Sequence, residues 1–200
     1  MVPKLARFEE FSEYRRLAGI DAIGRRYLAM NAFDGILTMI GVIMGSYLAG
    51  IKTASIVLST GLATCLAMGV SGFWGAYMTE SAERKHDLRE LEHAMLRDLH
   101  ETKQARASRF AVIVVALIDG LSPLVAGAIV MLPFIVQPTC SDMRMCYGIA
   151  LGVALVMLFV LGVFLARVAK ENILRSGLRM IVAGIACVLL SFLLSVRSGG

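Results

Sequence analysis

Five stretches of this chain, at approximately 29–51, 54–78, 110–136, 146–168 and 177–196, are apolar over membrane-crossing length and carry no Arg or Lys at their centres. A helix needs about 20 apolar residues to cross the hydrocarbon layer. The sequence therefore predicts an all-α membrane protein with five transmembrane helices. Composition agrees: 58% of the 200 residues are hydrophobic and 18% charged, too apolar for an ordinary soluble domain. The net charge of +5 does not point to nucleic acid, because the basic residues flank apolar runs and act as topology determinants.

The distribution of those basic residues orients the chain. Six Lys and Arg precede the first run, seven lie between the second and third, and four fall between Arg167 and Arg179. The other side holds Lys52, Arg144 and Arg197. Seventeen against three places the N-terminus in the cytoplasm and the C-terminus outside, at the plasma membrane if the source is prokaryotic. Four regions follow: 1–28, an amphipathic surface helix; 29–78, the first two spans; 79–108, a cytosolic helical extension; and 109–200, the last three spans.

The first of these, with Phe8, Phe11, Leu17, Ile20 and Ile23 at helical spacing, is too charged for a secretory signal, and no cleavage is expected. Glu9, Glu10 and Glu13 read as its solvated face. Cys140 and Cys146 fall in the short external loop, where an oxidising compartment permits a disulfide. Cys65 and Cys187 lie within spans as packing residues.

Asp34 interrupts the first run, and an ionisable side chain in hydrocarbon is costly unless it meets a cavity, a partner or an ion. At helical spacing it shares a face with Met30, Thr38, Gly41 and Gly45. These residues are small or polar, and Gly41-x-x-x-Gly45 is a helix-packing spacing in membranes. A short echo, Asp34-Gly35 and Asp119-Gly120, places a second carboxylate in the third span beside Ser122 and Pro123. Parallel repeats are one route to a transporter with a site at their interface. Each aspartate is a candidate for an ion path or for a structural hydrogen bond to a neighbouring helix.

No Gly or Pro occurs between Gly75 and Gly120, so the second span is expected to continue as a helix into the cytoplasm. The emerging segment carries Glu80, Glu83, His86, Asp87, Glu90 and His93, including two Glu-x-x-His units one heptad apart. Residues three apart on a helix point in neighbouring directions, so each unit presents an oxygen and an imidazole together. Such a mixed set suits iron, manganese or zinc. One helix alone cannot surround a metal, and Leu88, Leu91, Met95 and Leu99 form an apolar stripe on roughly the other side, so a merely solvated face is the competing interpretation.

These residues carry a resemblance. Asp34-Gly-Ile-Leu-Thr38 before a Gly-rich span, Gly75-x-Tyr77-x-Thr79 running into an acidic helix, and Leu132-Pro-Phe134 late in span three resemble the vacuolar iron transporter family. The resemblance implies a homodimer exporting ferrous iron or another divalent metal, manganese among them, coupled to proton entry. It places Asp34 on the ion path, gives the acidic helix a metal-gathering role, and has methionines line the route. It implies no permanent cofactor, the metal ion being the substrate. The sequence departs from the pattern where the family has Ser-Met-Ala-x-Gly-Glu-Tyr. Ser71-Gly-Phe-Trp-Gly-Ala-Tyr77 puts Gly72 at the methionine and Ala76 at the glutamate, with Met68 one turn earlier as a substitute thioether. The cytosolic extension is also short.

Transport thus draws on Asp34, Met30, Thr38, Met68 and Asp119. The alternative is a membrane-tethered di-iron oxidase or metal sensor built on the Glu-x-x-His helix. No Ser/His arrangement for nucleophilic catalysis is present.

Overall fold

The computed structural model describes residues 19–99, 102–135 and 142–198. Among them five helices follow one another: α1 Ile20–Leu48, α2 Ala54–Met95, α3 Lys103–Ile135, α4 Met143–Ala169 and α5 Ile173–Ser198. Each contains a window long and apolar enough to cross a membrane. The five expected spans are therefore present, as an all-α chain.

The helix limits are set by local chemistry. α1 begins after Gly19, whose φ of +61° is readily adopted only without a Cβ, and residues 20–28 run into the first span without a break. The surface helix expected over 1–28 otherwise lies outside the described residues. α2 continues 17 residues beyond the expected membrane exit at 78 before Leu96, at φ +50°, turns the chain. There the Glu92 carboxylate accepts from the Leu99 amide at 2.9 Å. Asp142 caps α4 by accepting from the Arg144 amide at 3.0 Å. Lys170, at φ 56°, closes α4, with the Glu171 amide reaching back to the Ala166 carbonyl at 2.9 Å.

Contacts divide the chain into two compact units, formed by the described residues of Met1–Leu28 with Val70–Leu121 and of Ala29–Gly69 with Ser122–Gly200. In the second, one stripe of α1, made of Ile36, Met39, Ile40 and Ile43, is fully buried against Val57 and Cys65 of α2, Val130 and Met131 of α3, and Ala150, Ala154 and Leu158 of α4. Small residues let these helices close up. A Cβ at Gly162 would lie 2.7 Å from the Gly177 Cα, so α4 and α5 meet backbone to backbone. Gly127 leaves room for the Cys65 sulfur, whose thiol lies 3.6 Å from the Met39 sulfur, and the Cys187 thiol points at the Leu37 carbonyl. Both cysteines pack as expected. Cys146 is fully buried, while Cys140 lies outside the described residues, and with it the disulfide.

An aromatic group closes the end of this unit nearest the α1–α2 turn. The Tyr147 ring packs edge-on against Tyr47 and Phe134, with centroids 5.4 and 5.3 Å away, and its hydroxyl donates to the Ile51 carbonyl at 2.9 Å. In the other unit Trp74 and Tyr77 are exposed side by side where α2 approaches its polar extension. Tyr and Trp at both ends of the spans suit the water–lipid boundary.

Candidate ion path and the polar extension of α2

Asp34 lies on α1 roughly 200° around the helix from buried Ile36, at 100° per residue. Its carboxylate is exposed, as is Met30 one turn earlier, which is 55% accessible. Thr38 shares the face, but its hydroxyl donates to the Asp34 backbone carbonyl at 2.7 Å rather than to the carboxylate. Further along, nothing lies within 4 Å of where a Cβ would stand at Gly41 or Gly45. This face of α1 is thus exposed or partly exposed from Met30 to Gly45, with one carboxylate in its N-terminal half.

Behind Asp34 the backbone is pinned. A Cβ on Gly35 would fall 2.7 Å from both the Cα and the carbonyl oxygen of Pro123, so α1 and α3 touch main chain to main chain there. Pro123 sits inside α3 and has no amide to give the Asp119 carbonyl four residues earlier. Membrane helices accept such a proline where neighbouring groups compensate.

Asp119 differs from Asp34 in environment: it is 7% exposed. Gly72 of α2 stands against it, 3.1 Å from its carbonyl oxygen and 3.2 Å from its Oδ2 measured from an added Cβ. The position at which the sequence lacks the family's methionine is therefore the position that admits the Asp119 carboxylate. Met68 packs part-buried against the apolar core of its own unit.

The six residues expected to gather metal fall into two groups. Glu80 is 6% exposed and fully engaged: its Oε1 accepts from the Tyr27 hydroxyl at 3.3 Å and its Oε2 pairs with Arg84 Nε at 3.1 Å. Arg26 lies over the Tyr27 ring at 5.5 Å. Glu80 thus ties the start of α1 to the exit of α2. Glu83, His86, Asp87, Glu90 and His93 are exposed along α2. From Glu83 to His93 the helix rises roughly 15 Å. Among the described residues, no three His, Cys, Asp or Glu side chains come together where they could hold a metal ion. The apolar stripe opposite is only partly covered, with Leu99 buried but Leu91 and Met95 40% and 54% exposed.

Sequence reasoning overlooked Tyr27 and the role of Gly72. An amphipathic tyrosine at the charged end of a span was the available signal for the first. The second depends on which residue of α3 faces position 72, which no spacing reveals.

Comparison with known proteins agrees with this architecture. An uncharacterized protein of Methanocaldococcus jannaschii is 29% identical over 174 residues, covering 86% of this chain and 88% of the relative. The model of the VIT family, the vacuolar iron transporters, matches twice, over residues 26–113 and 89–196. Five membrane-length helices and a family match over nearly all of the chain lead to one conclusion: this multi-pass membrane protein belongs to the VIT family, whose members move metal ions across membranes.

Proposed function

We propose that the protein exports a divalent cation, ferrous iron or manganese, from the cytosol in exchange for protons, working as a homodimer in the plasma membrane with its N-terminus inside. The observation that carries this reading is the exposed Asp34 carboxylate on an otherwise open, small-residue face of a membrane-spanning helix. Such a charge facing lipid is costly, whereas a second copy of the same face would cover it and bring two Asp34 carboxylates and two Met30 thioethers toward one axis. Carboxylate oxygens replace part of a divalent ion's hydration shell, and the thioethers favour a softer ion than calcium or magnesium.

Asp119 serves the same chemistry in α3, its carboxylate admitted by Gly72. Glu83, His86, Asp87, Glu90 and His93 form a weak, exposed collecting surface for cations on α2, while Glu80 holds that helix in place through Tyr27 and Arg84. A carboxylate that has released its metal can take up a proton, which gives the exchange its chemical basis.

The test is a proteoliposome flux panel with ferrous iron, manganese and zinc, with and without a pH gradient. Flux that requires the gradient and is lost in Asp34→Ala supports the proposal. Flux independent of Asp34 refutes it. Oxygen-dependent ferrous oxidation that survives Asp34→Ala and requires Glu83, His86, Glu90 and His93 favours the oxidase instead.

A further inference from the structure

The polar extension of α2 and the beginning of α3 line a partly open cavity of about 320 Å³ that the transport chemistry does not use. α2 lines it with Ser81, Arg84, Lys85, Leu88 and Arg89, and α3 with Ala105, Ser108, Arg109 and Val112. Positions 81, 84, 85 and 88 and positions 105, 108, 109 and 112 share one spacing, so each helix offers a single stripe to the same space. Four of the lining residues are cationic and two carry hydroxyls, while no carboxylate is among them. Arg84 pairs with Glu80 at 3.1 Å. Lys85, Arg89 and Arg109 are exposed to solvent and line the same space of ligand size.

We propose that this cavity binds a phosphate ester, and that its source is the headgroup of an anionic phospholipid. Guanidinium groups bind phosphate oxygens with paired hydrogen bonds, and serine hydroxyls complete such a shell. Leu88, Ala105 and Val112 give the same cavity an apolar wall, which a free phosphate ion would leave unused and an acyl chain would cover. The membrane-side edge of the cavity fits as well. Arg109 directly precedes the apolar run that opens with Phe110, and Ser81 follows the end of the second run by three residues, roughly 5 Å of helix. The phosphates of a bilayer lie at that level. Basic pockets between transmembrane helices on the cytoplasmic side are a recurrent setting for anionic headgroups.

The experiment is native mass spectrometry of the full-length protein in detergent, titrated with phosphatidylglycerol or phosphatidylcholine of matched acyl chains. Inorganic phosphate is the competitor. The wild type is expected to prefer phosphatidylglycerol. Lys85→Gln with Arg89→Gln, both at exposed positions, is expected to lower that affinity roughly 30-fold, at about 1 kcal/mol per basic residue near a headgroup. The charge-keeping swap Lys85→Arg with Arg89→Lys is expected to retain most of it.

Arg175→Gln with Arg179→Gln, equal in charge change but placed on α5, is the control and is expected to have no effect. Equal affinity for the two lipids, or equal loss in the α2 and α5 variants, overturns the proposal. Inorganic phosphate that displaces the lipid at comparable concentration upholds the phosphate site and overturns its assignment to lipid.

Discussion

Gly72 and Asp119 fit together because one of them has no side chain: a Cβ at position 72 would stand 3.2 Å from the Asp119 Oδ2 and 3.1 Å from its carbonyl oxygen. The Asp119 carbonyl has already lost its helical amide to Pro123, so main chain and side chain of one residue both gather against this glycine. A carboxylate placed in this way cannot be moved aside without cost, and the pair gives the first expectation.

Gly72→Met, which supplies the family's residue at this position, should push the Asp119 carboxylate out of its place. Overpacking of this kind costs about 1–3 kcal/mol. Thermal unfolding in detergent should register the loss, and metal flux should fall with it. A variant with full flux and unchanged unfolding would show that the space beside Asp119 is not limiting.

Gly35→Val should be more damaging than any substitution at the open glycines of the same helix. Its Cβ meets Pro123 main-chain atoms at 2.7 Å, and backbone cannot rotate away as a side chain does. Separation of α1 from α3 should lower the unfolding midpoint and the yield of folded protein. Gly41→Ala, where nothing lies within 4 Å, should leave the unfolding of the isolated protomer unchanged.

Tyr27→Phe removes the hydroxyl that donates to Glu80 at 3.3 Å and should cost about 0.5–1.5 kcal/mol. Glu80→Ala should cost more, because Arg84, only 13% exposed, also loses its partner. A double-mutant cycle measured by chemical unfolding should return a coupling between positions 27 and 80. Additive losses would mean that the two residues act separately.

Asp34→Asn should leave unfolding almost unchanged, because the carboxylate is exposed and lies outside the buried stripe, yet reduce metal flux at least tenfold by about 1.4 kcal/mol or more of lost ion stabilisation. Gly45→Cys probes the face further along. If two copies cover it, oxidation should yield a disulfide-linked dimer on a non-reducing gel, and a persistent monomer would place the dimer contact elsewhere.

The sequence alone determined the five spans, the continuation of span two into a long polar helix, and the family. Each depends on local composition: an apolar run of bilayer length must be a helix, and a stretch without Gly or Pro favours its continuing past the membrane, although nothing of that kind marks where α2 ends, at Met95. It also singled out Asp34, because a charge in such a run is conspicuous wherever it points. Tertiary structure alone decided what each charge meets. It set Asp34 on an open face while Asp119 went against Gly72, although both stand before a glycine in a span. It buried Glu80 against Tyr27 and Arg84 while the other acidic residues expected to gather metal stayed exposed, and it drew Arg84, Lys85, Arg89 and Arg109 around one cavity. The physical reason is common to all three: the bilayer fixes where a helix lies along its axis, but its rotation is settled by packing against neighbours distant in the chain.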